Sequence, residues 1–341
     1  MIQPKNSDLK NIKGLKFIDL FAGIGGFHLA LNSFGAKCVF SSEWDKEAKK
    51  VYQENFEVEP FGDITKIDEK EIPKHDIICG GFPCQAFSIS GKQRGFEDSR
   101  GTLFFDIVRI ANHHKPKVLL LENVFNFEKH DNGNTLKTVL RLLDSIGYET
   151  HYKVLNAVNY GIPQTRRRIY FVCFNKELKI KRFEFPKPIE SENRLKDFLE
   201  NNSITKDFFL PNHKLKNLKL KNQIKISSQT LFNNIDTTND TIRIGTINKG
   251  GQGDRIYSPN GYAITLSAYG GGTGSKTGLY LIDNGIRKLT PRECANITGF
   301  PNSFVLPKNK NHAYKQFGNS VVVDVLQYIL IEINKSLKLV D

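Results

Sequence analysis

The sequence predicts an α/β protein with a doubly wound, mostly parallel sheet and a second, smaller domain rich in strands and loops. From residue 15 to about residue 185, short apolar runs alternate with amphipathic helical segments, as in βαβ units. After residues 186–188 (Pro-Lys-Pro) this alternation stops. The sequence that follows is richer in Asn, Lys, Gly and Thr, and its apolar segments are short. We therefore predict that the first part of the chain builds the sheet and that the small domain begins near residue 195.

The elements of the first part follow from the apolar runs and from the glycines that end them. A strand at 15–21 runs into the glycine turn at 22–26, which opens a helix at 27–34 that Gly35 ends. The remaining predicted elements are strands at 37–41, 75–82, 118–121 and 169–174 and helices at 46–55, 103–112, 135–146 and 321–337. We expect the last helix to pack back on the first domain.

The charge balance favours a polyanionic partner. Lys and Arg number 49 against 36 Asp and Glu, which gives a net charge of +13 and a pI near 9.3. Basic side chains that neutralise phosphates release counterions, so nucleic acid is the favoured partner, although many lysine-rich proteins bind none. The five cysteines include no Cys-x-x-Cys pair, which predicts neither a disulfide framework nor a metal site. We expect a cytoplasmic protein without a membrane segment, because no run is long and apolar enough to cross a bilayer.

The first strand, its glycine turn and its helix form a nucleotide-binding arrangement, because backbone N–H groups near a helix N-terminus can approach a ligand. The dinucleotide pattern G-x-G-x-x-G is incomplete, since His28 stands at the third glycine position. Glu43 follows Gly23 by 20 residues, where an acid usually binds ribose hydroxyls. Trp44 offers an aromatic face for adenine, and Asp63 offers an acceptor for its amino group. These residues favour S-adenosylmethionine as cofactor, and the alternative is that Glu43 and Trp44 only end a strand.

Three strand ends carry side chains that together suit attack on a pyrimidine ring. A thiolate that adds to C6 of cytosine makes C5 nucleophilic toward a sulfonium methyl group. We predict Cys84 as this nucleophile and Glu122 as the group that protonates or hydrogen-bonds N3 and N4. Arg166 and Arg168 share one face of an extended strand and are predicted to favour the thiolate and bind O2. A single cysteine after a proline is more often structural, but three complementary groups at strand ends favour catalysis.

Five segments resemble, in family order, the motifs of bacterial cytosine-C5 DNA methyltransferases. They are residues 21–26 (FAGIGG), 81–85 (GFPCQ), 122–124 (ENV), 164–168 (QTRRR) and 316–321 (QFGNSV). The resemblance extends from about residue 17 to the C-terminal helix. It implies the fold of S-adenosylmethionine-dependent methyltransferases and methyl transfer to C5 of a cytosine in duplex DNA through a covalent bond between Cys84 and C6. It also implies a mobile catalytic loop at 88–100.

The resemblance also divides the chain by function. It implies a catalytic and cofactor-binding domain at 1–194 plus 319–341, a DNA target-recognition domain at 195–290 and a hinge at 291–318. In the family the asparagine that matches Asn319 completes the cofactor pocket. The predicted cofactor contacts are Phe21, Gly23, Gly25, Glu43, Trp44, Asp63, Ile64, Leu103 and Asn319.

Two stretches of the small domain, residues 249–258 and 263–272, resemble the recognition loops of family members that act on GCGC. A base inside a duplex cannot present C6 to a thiol, so the target must leave the stack. Gln252 is predicted to fill the vacated space and bond the orphaned guanine. Arg255 is predicted to read guanine O6 and N7, with a phosphate contact or a surface salt bridge as the alternative. The predicted DNA contacts are Ser90, Gln252, Arg255, Thr265 and Tyr269.

The predicted function is therefore that of a bacterial DNA (cytosine-5-)-methyltransferase of a restriction-modification system, acting on the inner cytosine of GCGC. Its expected partners are double-stranded DNA and a companion restriction endonuclease for the same site, and the enzyme is expected to be a monomer that joins the nucleoid when bound to DNA. The alternatives are a tRNA cytosine-C5 methyltransferase and a catalytically silent DNA-binding relative. A nicotinamide dehydrogenase is disfavoured by the missing third glycine.

Overall fold

The computed structural model describes residues 10–83, 103–201, 205–221, 240–283 and 285–338. Two of the predicted site residues, Cys84 and Ser90, lie outside these described residues. The chain forms two compact units. The larger unit contains the described residues up to Leu155, Arg167–Lys187 and the residues from Val325 onward, and the smaller unit contains Asn156–Arg166 and Pro188–Asp324. The assignment of separate functions to residue ranges remains a prediction.

The larger unit is built on a six-stranded sheet with the order β2-β1-β3-β4-β6-β5. Its strands are β1 Lys16–Leu20, β2 Lys37–Ser42, β3 Ile77–Gly81, β4 Val118–Val124, β5 Tyr148–Asn156 and β6 Arg167–Asn175. Strand β1 pairs in parallel with β2 and β3, β3 pairs in parallel with β4, and β4 pairs antiparallel with β6. The predicted doubly wound, mostly parallel sheet is confirmed. The strand order reverses between β1 and β3, where sheets of this kind bind ligands at the carboxyl ends of their strands.

Helices of the larger unit pack apolar faces on this sheet. They are α1 Gly26–Ser33, α2 Lys46–Phe56, α3 Phe104–His114, α4 Asn134–Ser145 and, at the end of the chain, α7 Val323–Lys338. The carboxylate of Asp45 begins α2 by accepting the N–H groups of Glu47 and Ala48. Leu119, Leu121 and Phe171 from the sheet join residues of α3 and α4 in one fully buried core. Burial of this apolar area holds the strand ends in fixed positions.

Strand β5 was not predicted from the sequence. It lies at the edge of the sheet, and most of its side chains are half-buried or exposed. Its segment contains Glu, Thr, His and Lys between Tyr148 and Leu155. An edge strand buries too little surface to need an apolar run or a regular alternation, so the sequence carried no signal for it.

The smaller unit contains a five-stranded sheet with the order β11-β10-β9-β8-β7. Its strands are β7 Lys219–Leu220, β8 Arg243–Thr246, β9 Arg255–Tyr257, β10 Leu279–Ile282 and β11 Gly285–Arg287, and its helices are α5 Pro291–Asn296 and α6 Lys310–Asn319. A small apolar core that includes Ile244, Ile256 and Leu281 lies within this sheet. Short strands joined by long loops confirm the predicted second, smaller, loop-rich domain.

A buried ion pair fixes the end of the smaller sheet to α5. Arg287 and Glu293 are both fully buried, and two N–H···O contacts of 2.7 Å and 2.8 Å join their planar groups. Thr290 and Glu293 form a capping box at the start of α5. Each buried charge has the other as its partner, so the pair specifies the local packing at the start of α5. None of the helices in the described parts of the chain has the length and apolar character that a bilayer span requires.

Candidate active site

The carboxyl end of β4 carries a charged pair that is almost shielded from solvent. Antiparallel pairing places Tyr170 opposite Glu122 and Arg168 opposite Val124, so Glu122 and Arg168 lie on one face of the sheet. The Arg168 Nε atom lies 3.0 Å from Oε1 of Glu122, and the two side chains are only 13% and 10% exposed. Because both side chains are nearly excluded from water, each charge is stabilised by the opposite charge of the other. The pair presents a carboxylate and a guanidinium whose orientations are fixed before any substrate arrives.

This pair lies next to the strand that leads to Cys84. A Cβ added at Gly81, the last residue of β3, would meet Oε2 of Glu122 at 3.3 Å. Glycine at this position therefore lets the backbone pass close to the carboxylate. Cys84 follows three residues later in the sequence, outside the described residues. The structure brings the predicted carboxylate to the strand end from which the predicted nucleophile emerges.

Asn123 connects the same two strands, and although it belongs to the 122–124 motif, no role is predicted for it from the sequence. Its side chain is 2% exposed, and its Nδ2 group donates to the Phe82 carbonyl oxygen at 2.9 Å. Its Oδ1 atom accepts the N–H of Val124 at 2.8 Å. A buried amide with both ends satisfied locks the residues after β3 to the end of β4. Its place in the 122–124 motif at a strand end was the available sequence signal, and that signal does not indicate the bond to Phe82.

Arg166 has partners of a different kind. Its side chain is buried within the smaller unit, where Nη1 donates to the Leu266 carbonyl oxygen at 3.2 Å. Its Nη2 group donates to the carbonyl oxygens of Gly318 at 3.1 Å and Ser320 at 2.5 Å. Gln164 works beside it, donating to the Ile297 carbonyl oxygen at 2.6 Å and accepting the Leu266 N–H at 3.1 Å. These two side chains fasten three backbone segments of the smaller unit together.

The glycine turn after β1 meets the carboxylate predicted to bind ribose. Phe21, Gly23 and Gly25 all adopt positive φ angles, of 56°, 56° and 86°. This bend directs the Gly23 N–H onto Oε2 of Glu43 at 2.8 Å, while Oε1 accepts the Asp45 N–H at 2.8 Å. Burial is the largest cause that raises the pKa of Glu43 above its usual value. A carboxylate has several lone-pair sites, so Glu43 can accept further hydrogen bonds of the kind that a ribose diol donates.

The neighbours of Glu43 suit the rest of an adenosine. Trp44 is 81% exposed and Phe61 is 58% exposed, so two aromatic faces are open to a ligand. The backbone N–H of Glu43 donates to the Phe61 carbonyl oxygen at 2.9 Å, which brings the segment containing Asp63 beside Trp44. Asp63 caps the short helix Ile64–Lys66 through the Thr65 N–H. Exposed aromatic rings beside two carboxylates fit an adenine ring with its ribose.

The remaining predicted cofactor contacts lie in different parts of the fold. Ile64 is buried, and its carbonyl oxygen accepts Nη2 of Arg109 at 2.7 Å. Leu103 immediately precedes α3 and packs against the core of the larger unit. Asn319 is the last residue of α6, in the smaller unit. Arg109 also contacts Glu69 at 2.8 Å, so it fixes the segment around Ile64, a role that its sequence context did not indicate.

The two stretches predicted to read DNA lie against each other in the smaller unit. Gly253 leaves no room for a side chain, because an added Cβ would lie 2.4 Å from the Gly271 carbonyl oxygen. The Gly274 N–H donates to the Gly253 carbonyl oxygen at 2.7 Å. The glycines therefore allow two backbone segments to pack in direct contact, so the two predicted recognition stretches are held together through their backbones.

The side chains predicted to contact DNA are mostly open to solvent. Gln252 is exposed on the short helix Gln252–Asp254, and Tyr269 is 71% exposed. Arg255 is half-buried at the start of β9, and its Nε atom has no hydrogen-bond partner in the described part of the chain. Thr265 is exposed, and its hydroxyl donates to the Thr165 carbonyl oxygen. Exposed polar and aromatic side chains that project from a packed, glycine-rich backbone suit a surface that binds nucleic acid.

Comparison with known proteins decides among the candidate functions. The sequence profile described as C-5 cytosine-specific DNA methylase matches residues 15–335. The chain belongs to this family. It is a DNA (cytosine-5-)-methyltransferase, as the strand-end motifs predicted.

Relatives of this methyltransferase come from type II systems. It is 55% identical over 329 residues to the type II methyltransferase M.HhaI of Haemophilus parahaemolyticus, with 96% of this chain and 97% of that protein covered. It is 44% identical to M.HpaII of Haemophilus parainfluenzae, over 91% of this chain and 87% of that protein. The solved structure of the Dnmt2 methyltransferase of S. pombe shares the fold, with a TM-score of 0.68 over 96% of this chain and 99% of that one at 20% identity. The predicted family and fold class are confirmed.

Proposed function

We propose that this methyltransferase acts on the inner cytosine of GCGC in duplex DNA and forms a covalent bond between Cys84 and C6. The observation that carries the proposed chemistry is the shielded Glu122–Arg168 pair beside Gly81, three residues before Cys84. The GCGC target is supported by the resemblance of residues 249–258 and 263–272 to the recognition loops of GCGC-specific enzymes. Identity of 55% to M.HhaI over nearly the whole of both chains supports the same target.

Cys84 and Glu122 share the activation of the ring. The Cys84 thiolate adds to C6, and the electron pair of the C5–C6 double bond moves to C5, which then attacks a methyl group carried on a sulfonium sulfur. The bond between that methyl carbon and the sulfur breaks, and the sulfur keeps the electron pair as a neutral thioether. Loss of the C5 proton and departure of the thiolate from C6 restore the double bond and the free enzyme. Glu122 stabilises the intermediate ring through N3 and N4, while Arg168 holds its carboxylate in position.

The two arginines contribute in different ways. Arg168 holds Glu122 in position and offers its guanidinium to O2 of the base, where it also favours the thiolate form of Cys84. Arg166 acts as a positioning residue, because its guanidinium is already bound to the carbonyl oxygens of Leu266, Gly318 and Ser320. It holds in place the segment that contains Asn319, which we propose completes the cofactor site.

S-adenosylmethionine supplies the electrophilic methyl group on its sulfonium sulfur. We propose that Glu43 binds the ribose hydroxyls, that Trp44 stacks on the adenine, and that Asp63 accepts from the adenine amino group. The glycine turn at 21–25 approaches the methionine part, with Ile64, Leu103 and Asn319 completing the pocket. This assignment is supported by the exposed ring of Trp44 beside the buried carboxylate of Glu43.

Recognition rests on the exposed side chains of the smaller unit. Gln252 takes the space that the flipped cytosine leaves, together with Ser90, and bonds the orphaned guanine. Arg255 reads a guanine edge, and Thr265 and Tyr269 contact the DNA backbone or neighbouring bases. We further propose that the enzyme acts as a monomer in the cytoplasm, on the nucleoid, beside a companion endonuclease that cleaves the same unmethylated site.

The test is transfer of tritiated methyl groups from S-adenosylmethionine to a set of duplexes. One duplex carries GCGC and the others carry the same bases in permuted order, with a tRNA as a further substrate. We expect label only on the GCGC duplex, at C5 of the inner cytosine. Label on a permuted duplex would keep the chemistry and overturn the target, and label on the tRNA alone would overturn DNA as the substrate.

A further inference from the structure

The segment that carries Asp63 has little regular structure of its own. It lies between α2, which ends at Phe56, and β3, which begins at Ile77, and it contains the short helices Ile64–Lys66 and Glu69–Glu71. Helices as short as these satisfy few of their own backbone groups. Contacts with neighbouring elements must therefore fix the position of Asp63.

The first of these contacts lies two residues before Asp63. The Phe61 N–H donates to the Ser41 carbonyl oxygen at 2.8 Å, and the Phe61 carbonyl oxygen accepts the Glu43 N–H at 2.9 Å. This pairing fixes the backbone at Phe61 to the end of β2. Gly62 follows, and apart from its chain neighbours no atom of the described residues lies within 4 Å of the place where a Cβ would stand. Packing around Gly62 therefore does not hold the link between Phe61 and Asp63.

Arg109 provides a second contact, one residue after Asp63. From α3 its Nη2 group donates to the Ile64 carbonyl oxygen at 2.7 Å. The same oxygen accepts the Ile67 N–H at 3.2 Å, so Arg109 joins α3 to the short helix that Asp63 caps. Oδ1 of Asp63 accepts both the N–H and the hydroxyl of Thr65, at 3.1 Å and 2.9 Å. Arg109 therefore holds the turn of chain that sets the direction of this carboxylate.

The guanidinium of Arg109 is itself fixed by two carboxylates. Its Nε atom lies 2.9 Å from Oδ1 of Asp106, one turn earlier on α3, and its Nη1 atom lies 2.8 Å from Oε2 of Glu69. The Arg109 side chain is 29% exposed, so these charged hydrogen bonds are partly shielded from water. Helix α3 is anchored in turn by Ile107 and Val108, which are buried in the core of the larger unit. A guanidinium with three directed hydrogen bonds can hold two elements at a fixed separation, which a single ammonium group cannot do.

We propose that Arg109 is a positioning residue for recognition of the adenine base: from α3 it holds Asp63 where its carboxylate accepts the adenine amino group. This inference rests on the proposed function, in which Asp63 makes that contact with S-adenosylmethionine. Arg109 acts through the Ile64 carbonyl oxygen rather than by contact with the cofactor. Its loss should therefore weaken the contact with the amino group and leave the rest of the site, including Glu43 and Trp44, in place.

The test uses two ligands that differ only in the group that Asp63 is proposed to bind. One is S-adenosylhomocysteine, the product of methyl transfer, and the other is the same molecule with hydrogen in place of the amino group on its purine ring. Isothermal titration calorimetry gives the Kd of each ligand, and the ratio of the two values measures the contribution of the amino group. Because a hydrogen bond to a charged group is involved, the native protein should bind S-adenosylhomocysteine about tenfold more tightly than the analogue.

Three variants separate the role of Arg109 from that of Asp63. Arg109→Met keeps the apolar stem of the side chain and removes its three polar contacts, so the preference for S-adenosylhomocysteine should fall from about tenfold to about twofold. Only the Kd of S-adenosylhomocysteine should rise, and the Kd of the analogue should stay within about twofold of native. Arg109→Lys keeps the charge without the three directed donors, and its preference should fall to about fourfold. Asp63→Ala removes the carboxylate and should abolish the preference.

Two substitutions on α4 provide matched controls. Arg141→Met makes the same change at an exposed arginine, and Leu143→Ala lowers the stability of the same unit by creating a buried cavity, so both should keep the native preference. If Asp63→Ala loses the preference and Arg109→Met keeps it, Arg109 only supports the fold and the inference is wrong. If Arg109→Met does not fold, an unchanged preference in Arg109→Lys overturns the inference. A native protein that binds both ligands equally would instead overturn the proposed contact of Asp63, and one that binds neither would overturn the proposed cofactor site.

Discussion

The strand ends of the larger unit and the glycine-rich stretches of the smaller unit hold their functional side chains in opposite ways. Glu122 and Arg168 are nearly buried and bound to each other, and Asn123 is bound at both ends. In the smaller unit Gln252 and Tyr269 project into solvent from backbone segments that glycines pack together. Rigidity lies in the side chains of the first region and in the backbone of the second.

This difference suits two different tasks. A reaction gains rate when the reacting groups are oriented before the substrate binds, because no reorganisation is then needed in the transition state. Recognition of a duplex needs side chains long and exposed enough to reach base edges, and these can order as they bind. Because the backbone beneath these side chains is already packed, only the side chains lose conformational freedom on binding, and the entropic cost of binding stays small. Substitutions in the two regions should therefore separate catalysis from specificity.

The largest effect is expected from Cys84→Ser. A serine hydroxyl is a far weaker nucleophile than a thiolate, so methyl transfer should fall by about 10⁴-fold or more. Binding to the GCGC duplex should stay within about threefold of native, since recognition lies in the other region. Single-turnover transfer and gel-shift titration measure the two quantities. Methylation at a near-native rate would contradict the assignment of the nucleophile.

The next effect is expected from Glu122→Gln. The amide cannot protonate the base, and Arg168 is left without its counter-charge, so kcat should fall by about 10² to 10³-fold. Glu149→Gln, which changes an exposed carboxylate on β5, is the control and should leave the rate unchanged. The measurement is single-turnover methyl transfer at saturating DNA. Equal rates for the two variants would show that the carboxylate at the end of β4 takes no part in the chemistry.

In the recognition region, Arg255→Ala should weaken binding to the GCGC duplex by about 1–3 kcal/mol, the usual value of a bidentate contact to guanine. Binding to a permuted duplex should change much less. Arg243→Ala on β8, an exposed arginine with no predicted role, is the matched control. Fluorescence anisotropy over a range of salt concentrations distinguishes the cases. Equal weakening on all duplexes, with a smaller salt dependence, would identify Arg255 as a phosphate contact.

A smaller effect concerns the stability of the larger unit at acidic pH. Burial lowers the pKa of His75 to about 4, whereas an unfolded chain binds this proton near pH 6.5. The unfolded state thus binds more protons in this range, and stability is lost as pH falls from about 6.5 to about 4. When the pH is lowered from 7 to 5, protonation of His75 in the unfolded chain should reduce the free energy of unfolding by about 2 kcal/mol.

His75→Asn isolates this contribution from the other titrating groups. The asparagine amide can donate to the Pro73 carbonyl oxygen, as the His75 ring does at 2.7 Å, but it binds no proton in this range. Urea unfolding at both pH values should show a decline about 2 kcal/mol smaller in the variant than in the native protein. Parallel declines would show that His75 is accessible to protons in the folded state.

Prediction from sequence succeeded where local patterns are strong. The apolar runs before Cys84 and Glu122 located strands β3 and β4, and the glycines after β1 located the turn before α1. It failed where a residue's environment comes from distant parts of the chain. Strand β5 lies at an edge and needs no apolar run, and nothing near Asn123 in the sequence indicates its bond to Phe82.

The arginine motif shows the same limit. An extended segment places Arg166 and Arg168 on one side, and from sequence both are predicted to serve the base. In the structure Arg168 pairs with Glu122, whereas Arg166 binds the carbonyl oxygens of Leu266, Gly318 and Ser320. These partners are more than 90 residues away along the chain from Arg166, so no local pattern indicates them. Residue type predicted the motif, and tertiary contacts decide what each member binds.

The most direct test of the proposed reaction uses a duplex that carries 5-fluorocytosine at the inner position of GCGC. After Cys84 adds to C6 and the methyl group is transferred to C5, fluorine cannot leave as a cation, so the covalent adduct cannot resolve. We expect a stable protein–DNA complex on denaturing gels with this duplex and S-adenosylmethionine, and none with Cys84→Ser or with a permuted site. A native enzyme that methylates GCGC but forms no adduct with the fluorinated duplex, or an adduct that persists in Cys84→Ser, would contradict the proposed mechanism.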